Sequence, residues 1–378
     1  MPPKIAIVHD YLNQMGGAER VVAVFHELFP EAPIFTTVVD RSVLIPELAG
    51  ADIRPSWMQR LPGWKKHFKK YLLLYPQAIE SLDLRGYELI ISSSSAFAKG
   101  ARKGKGALHV CYCYTPMRFA WDYENYMARE NLSFVYRGIL PAAIRRLRQW
   151  DFATRGRPDR YIAISSCVRD RIAKIYGREA EVIYPPVEVQ RFFRSRQPEN
   201  YYLVVSRLAA YKRLDLAVRA FSILGLPLKI IGSGPAGESL KKQAGPNIDF
   251  LGRIGDAELA DYYGGCKALI FPGVEDFGLA PLEANAAGRP VIAFHGGGAL
   301  DTIEPGVNGL FFREPSAESL IEAVRVLESG RLKFQAERIR QQARKYDKSV
   351  FKEKIRNYLA GLPGAERAQD RDPAQKSL

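Results

Sequence analysis

"YYLVVSRLAAYKRLDLAVRAFSILGLPLKIIGSGP", residues 201–235, reads as a strand, a helix and a second strand. "YYLVVSRL" and "LPLKIIGSG" are short runs rich in β-branched residues, and "RLDLAVRAFSIL" between them has a helical period. Strands joined through a helix of about ten residues run parallel, whereas antiparallel neighbours need only a tight turn. The rhythm continues downstream in strand "NIDFLGRI", helix "DAELADYYGGC", strand "KALIFPG", helix "APLEANAAG" and strand "PVIAFHGG". Upstream, "KIAIVHDYL", "PIFTTVV", "YELIISSSS" and "ALHVCYCY" read as strands and "AERVVAVFHELF" as a helix. "RYIAISSCVRDRIAKIY" is a strand running into a helix. The pattern breaks at "EVIYPPV", where Pro185-Pro186 favours an extended connection.

The fold class is therefore α/β, with two Rossmann-like domains whose parallel sheets face each other across a cleft. The 378 residues suit about two domains. The expected division is 1–190 for an N-terminal domain and 191–345 for a C-terminal domain. A helix over 346–362 is expected to pack back on the first domain, and 363–378 to form a disordered tail. The one D-x-D of the chain lies in that tail, away from the rigid strand–loop context a metal site needs.

Composition is that of a globular protein, 47% apolar and 25% charged. No apolar run reaches the ~18 residues of a membrane span. "MPPKIAIVHDYL" enters a strand without the order of a signal peptide, so a cytoplasmic enzyme is expected. The four cysteines show no disulfide spacing, and Cys111 and Cys113 fall in an apolar strand as buried thiols. The net charge is +14, and residues 51–150 carry 17 Lys and Arg against 7 Asp and Glu. Within that window, Lys65, Lys66, Lys69 and Lys70 recur at helical spacing beside Trp64, Phe68, Tyr71 and Leu72. Such a segment suits an anionic membrane surface, with rings at the headgroup level.

In open parallel sheets, ligands bind outside the carboxyl ends of strands. Gly16 and Gly17 follow the first strand, where a backbone without side chains lets an anion approach a helix N-terminus. Arg207 and Lys212 follow the first strand of the second half and supply two cations for a diphosphate. Gly232 and Gly234 follow the next strand. "EDFGLAPLE" (275–283) places Glu275 and Glu283 either side of a turn at Gly278, so that both could point into one cleft. Carboxylates would repel a diphosphate but accept from paired hydroxyls. A ligand with a sugar at each end of a diphosphate is a nucleotide sugar.

These residues carry a resemblance to the retaining glycosyltransferases of family 4, which have the two-domain GT-B fold. The motifs are "VVSRLAAYKRLDLAVRAF", "KIIGSGP", "DFLGRI", "LIFPGVEDFGLAPLEANAAGRPVIAFHGGG" and "GVNGLFF". The resemblance implies that Glu275 contacts the donor sugar and Glu283 the nucleotide ribose. Phe277, Gly278 and Leu279 would meet the donor sugar and phosphate, and Arg207 and Lys212 would neutralise the diphosphate. Gly16 and Gly17 match the glycine loop, and Arg253, Ile254 and residues 232–235 would line the base. "HVCYCYTPMRFAWDY" is similar to a branch of mannosyltransferases of bacterial O-antigen and exopolysaccharide synthesis. Tyr114 stands where that branch commonly has His; with Arg118, Trp121 and Asp122 it marks the acceptor side.

The implied reaction transfers a hexose, with mannose from GDP-mannose expected, to a lipid-linked oligosaccharide with retained configuration. The two cations replace a metal, so no cofactor or metal is expected. The partners are a nucleotide sugar, the lipid-linked acceptor and an anionic membrane surface, which puts the protein on the inner face of the plasma membrane. One alternative is a nucleotide-sugar epimerase or hydrolase on the same fold, which needs no basic, aromatic surface. The other is a nucleic-acid binder, which the net charge alone suggests and which leaves the Arg207, Lys212, Glu275 and Glu283 pattern without a purpose.

Overall fold

The computed structural model describes residues 3–122, 134–193 and 196–362. The chain forms two units, one running to Pro185 and resumed from Phe351, the other spanning Pro186–Val350. The expected boundary after 190 thus lies after Pro185, and the return to the first unit starts at Phe351.

The first unit is built on a seven-stranded parallel sheet in the order β3-β2-β1-β4-β5-β6-β7. Its strands are β1 (Ile5–His9), β2 (Ile34–Thr36), β3 (Ile53–Pro55), β4 (Leu89–Ser94), β5 (Leu108–Cys113), β6 (Arg160–Ala163) and β7 (Ala180–Val182). Helix α1 (Gly17–Leu28) buries Val21, Val22, Val24 and Phe25. A long helix, α2 (Phe134–Ala153), precedes β6, and α3 (Ser166–Tyr176) follows it, capped by the Ser165 hydroxyl. The last described helix, Lys348–Ala360, adds Phe351 to this core, its ring 5.7 Å from both Phe25 and Tyr112. Lys352 pairs there with Glu27. Cys111 and Cys113 are buried free thiols, as their strand setting requires.

The basic segment departs from the expected amphipathic helix. Trp64–His67 is a single α-turn, and Phe68–Leu74 continues as 3₁₀ helix with a break at Tyr71. Trp64 is buried in the core with Met58, Tyr75 and Ile79, and Tyr71 and Leu72 pack against that cluster. An indole ring gains most where it sheds most water, and the core receives that of Trp64. Lys65, Lys66 and Lys70 are exposed, and the large apolar side chains exposed nearby are Trp57 and Leu73.

The second unit has a six-stranded parallel sheet in the order β10-β9-β8-β11-β12-β13. Its strands are β8 (Tyr202–Val205), β9 (Leu228–Ile231), β10 (Ile248–Gly252), β11 (Leu269–Phe271), β12 (Val291–Phe294) and β13 (Gly309–Phe312). Helices α4 (Leu214–Leu224) and α7 (Ala317–Glu328) cover one face with Leu214, Val218, Phe221, Leu320 and Val324. Each such side chain stabilises the unit by about 1.5–3 kcal/mol through removal from water. Helices α5 (Asp256–Gly265) and α6 (Leu279–Ala286) follow β10 and β11. The "GVNG" motif is structural: Asn308 donates to Asn285 Oδ1 (2.9 Å) and to the Thr302 carbonyl (2.8 Å), fixing the entry to β13.

Both strand orders reverse once, between β1 and β4 in the first unit and between β8 and β11 in the second. In open α/β sheets the ligand crevice lies at the carboxyl ends of the strands on either side of such a reversal.

Candidate active site

At the reversal in the second unit, β8 ends at Val205 and leads into Ser206-Arg207, then a 3₁₀ turn Ala210–Lys212. β11 ends at Phe271 and leads into the turn that carries Glu275. The two loops touch backbone to backbone, leaving no room for a side chain between Gly273 and the Lys212 carbonyl. Lys212 Nζ lies 2.5 Å from Glu275 Oε1, both side chains largely shielded from water. The ammonium also lies 5.2 Å from the centre of the Tyr211 ring. Arg207 is exposed and makes no ion pair among the described residues. Two cations and one carboxylate thus share the mouth of the crevice, Lys212 fixed and Arg207 exposed.

The neighbouring loops close in on this pair. Gly232 has φ 133°, and a Cβ there would lie 1.9 Å from the Ser206 carbonyl oxygen. Only glycine meets both demands. Gly234 packs equally tightly on the Leu208 carbonyl, and Arg253 Nε donates to Ser233 Oγ at 3.0 Å, with Ile254 half-buried behind it. The Gly298 amide donates to the Glu275 carbonyl at 2.9 Å, holding the turn from the β12 side. Phe277 is buried against Tyr346, with ring centres 6.1 Å apart. Gly278, at φ 90°, turns the chain into α6, whose first residue is the half-buried Leu279.

Glu275 and Glu283, expected on either side of the turn at Gly278, are engaged differently. Glu283 is the fifth residue of α6, more than a turn beyond Gly278, and it is buried. Its Oε2 accepts from the Tyr263 hydroxyl of α5 at 2.7 Å. Glu275 instead faces Lys212, so the two carboxylates have different partners. Neither Tyr211 nor Tyr263 stood out in the sequence, because each is one aromatic among 19 tyrosines with no spacing to mark it.

In the first unit, Gly16 and Gly17 form the turn into α1. The Tyr114 hydroxyl donates to the Ala18 carbonyl (3.1 Å) and is bonded to Ser93 Oγ (2.8 Å). Burial pushes that hydroxyl far above its ordinary value, so it stays neutral. Arg118 and Asp122 lie 3.9 Å apart. Trp121 Nε1 donates to Asp151 Oδ2 at 2.6 Å, and Asp151 also meets Lys99 at 3.2 Å in a fully buried pair. Tyr114 and Trp121 are therefore held by their own unit.

Asp10, one residue past β1, escaped the sequence reading. Its carboxylate accepts from the amides of Ser95 (2.6 Å), Ala96 (3.0 Å), Phe97 (2.7 Å) and Ala98 (2.6 Å), and from Ser95 Oγ (2.7 Å). It fixes the chain after β4, across the reversal. The available signal was a charged residue directly after an apolar run. Among the described residues no group of three His, Cys, Asp or Glu side chains could hold a metal ion. None of their helices is long and apolar enough to cross a membrane.

Residues 188–346 match the family model of glycosyl transferases group 1, and residues 15–191 that of glycosyltransferase family 4. The chain is 31% identical over 193 residues to the GDP-mannose-dependent alpha-(1-6)-phosphatidylinositol monomannoside mannosyltransferase of Mycobacterium tuberculosis, covering 43% of this chain and 50% of that protein. It is 27% identical over 217 residues to the O-antigen chain mannosyltransferase RfbU of Salmonella typhimurium, covering 53% and 59%. The chain thus spans about half the length of these curated relatives. Among solved structures, Anabaena Alr3699/HepE in complex with UDP-glucose superposes with a TM-score of 0.70 at 16% identity, over 95% of this chain and all of that one. Sucrose-phosphate synthase from Thermosynechococcus elongatus reaches 0.72 at 17% identity, over the same shares. The fold of the chain is GT-B.

Proposed function

The chain belongs to glycosyltransferase family 4, and we propose that it moves a hexose, mannose from GDP-mannose, onto a lipid-linked saccharide acceptor in bacterial surface polysaccharide synthesis. The observation that carries this reading is the Lys212–Glu275 pair beside Arg207 at the strand-order reversal. The pair sets a cation and a carboxylate side by side, suited to different groups of one ligand. When a nucleotide sugar enters, a phosphate oxygen takes the ammonium and a sugar hydroxyl takes the carboxylate. The choice of mannose rests on the relatives, several of which are GDP-mannose-dependent mannosyltransferases.

The acceptor hydroxyl attacks the anomeric carbon on the face that the nucleoside diphosphate leaves, so configuration is retained. The bond from that carbon to the phosphate oxygen breaks, and the departing oxygen receives the acceptor's proton. Arg207 and Lys212 stabilise the charge that develops on it, assisted by the amides at the start of α6. Glu283, oriented by Tyr263, takes the ribose, and the loop from Gly232 with Arg253 and Ile254 lies against the base. Tyr114, Arg118, Trp121 and Asp122 shape the acceptor side. Two side-chain cations do the work a divalent metal does in other transferases, so none is needed. The exposed lysines 65, 66 and 70, with Trp57 and Leu73, give the first unit a surface suited to anionic lipid.

Calorimetry against a panel of nucleotide sugars tests the reading. Tightest binding of GDP-mannose is expected. Binding of another member changes the donor, and binding of none rejects the function.

A further inference from the structure

The first unit contains a buried histidine–glutamate pair that this transfer scheme does not use. His9 ends β1 and Glu19 lies in the first turn of α1; they are 2% and 1% exposed. His9 Nδ1 is 3.1 Å from the Ser93 carbonyl and 3.0 Å from Ser93 Oγ, and Nε2 is 3.8 Å from Glu19 Oε1. Gln14 donates to the same Oε1 at 3.2 Å. Glu19 Oε2 has no hydrogen-bond partner among the described residues. It faces Gly16, where a Cβ would lie 2.6 Å away. Gly16 has an extended backbone that any residue adopts (φ −130°), so its glycine is required by the room this carboxylate occupies.

The hydrogen bonds fix which His9 nitrogen carries its first proton. The single Tyr114 hydroxyl proton goes to the Ala18 carbonyl, so the Ser93 hydroxyl donates to Tyr114 and His9 Nδ1 donates to Ser93. Nε2 then faces the Glu19 carboxylate at 3.8 Å, within ion-pair distance. A neutral imidazole spends its one N–H at Nδ1 and turns a lone pair toward that carboxylate, so the setting favours the imidazolium. Burial by itself would lower the His9 value. The nearby Glu19 carboxylate, the charge of Asp10 and the Ser93 carbonyl together raise it above its ordinary 6.5. The charged groups facing His9 are Glu19 from α1 and Asp10 from the end of β1, the latter saturated by four amides.

We propose that His9 and Glu19 form a proton site beneath the Gly16–Gly17 turn, and that its proton must be present for the turn to take an anion. The anion is the diphosphate of a nucleotide sugar, in which respect the inference rests on the transferase reading. With His9 charged, the Glu19 carboxylate is neutralised. With His9 neutral, an uncompensated carboxylate adjoins the anion where water screens little.

The test pairs two measurements on the whole protein. Calorimetry follows the affinity of GDP-mannose, whose substituted phosphates do not titrate near neutrality, from pH 6 to 9. NMR follows the His9 imidazole over the same range, assigned with His9→Gln. We expect affinity to fall above the His9 titration with a slope approaching tenfold per pH unit. Glu19→Gln should remove that slope and shift the His9 titration down. Binding independent of pH, or an imidazole already neutral at pH 6, overturns the inference and leaves the transferase reading intact. No GDP-mannose binding at any pH counts against the mannose donor, and the wild-type imidazole titration then decides whether the proton site exists.

Discussion

Glu275 and Glu283 show what a motif conceals. Their spacing puts them either side of a turn, and the turn at Gly278 was legible from glycine alone. That Glu275 would meet Lys212, and Glu283 the Tyr263 hydroxyl, was not legible, because those partners come from other strands and helices. Strand-end position picks out candidate residues, and three-dimensional packing decides which charges pair. On the proposed reading the two carboxylates also have separate roles. Glu283→Gln and Tyr263→Phe should both weaken binding of the free nucleoside diphosphate, since one removes the charge and the other the donor that orients it. Glu275→Gln should spare the bare diphosphate and weaken the intact nucleotide sugar. Calorimetry of all three variants with GDP and GDP-mannose checks this, and equal losses for GDP in Glu275→Gln and Glu283→Gln would reject the division.

Strands of four to six residues with dense β-branched content, such as β4, β5, β8 and β12, were readable directly. β3 and β13 were not: "IRP" and "GLFF" lack a run of β-branched residues, and their extension comes from pairing with a neighbour. The long helix α2 was also missed, because its Arg-rich end lacks a clear apolar stripe. The segment from Trp64 to Leu74 failed differently. Helical spacing shows that lysines and rings alternate, but it cannot say which face the core will claim. The core took Trp64. Two substitutions now separate packing from surface charge. Trp64→Ala should cost about 3–5 kcal/mol of stability in denaturant titrations, the range for emptying a large aromatic site. Replacing Lys65, Lys66, Lys69 and Lys70 by Gln should leave stability nearly unchanged and release the protein from anionic vesicles, at about 1 kcal/mol per lysine at low salt. Co-sedimentation unaffected by the four changes would exclude this surface as the membrane contact.

Two buried histidines give the protein opposite responses to pH. His109 is buried, with Nε2 2.8 Å from Ser92 Oγ, and burial pushes it down to about 3. Its contribution to stability is present above the ordinary 6.5 and is lost as pH falls from there toward 3. His9 is raised, so its contribution is complete below 6.5 and is lost as pH rises through its folded value. Stability should therefore fall below pH 6.5 by up to about 1.4 kcal/mol per pH unit from His109 alone. Urea titrations of His109→Gln should show that acid limb flattened; an unchanged slope would assign acid sensitivity elsewhere. Turnover is expected to depend instead on the cations at the end of β8. The decisive measurement is release of GDP from GDP-mannose in EDTA by the wild type, Arg207→Ala and Lys212→Ala. Metal-free turnover by the wild type is expected, reduced about 10²-fold or more in each variant, the scale for losing one charge-stabilising donor. Wild-type turnover abolished by EDTA and restored by Mg²⁺ or Mn²⁺, or full turnover in either variant, would contradict a leaving diphosphate held by Arg207 and Lys212.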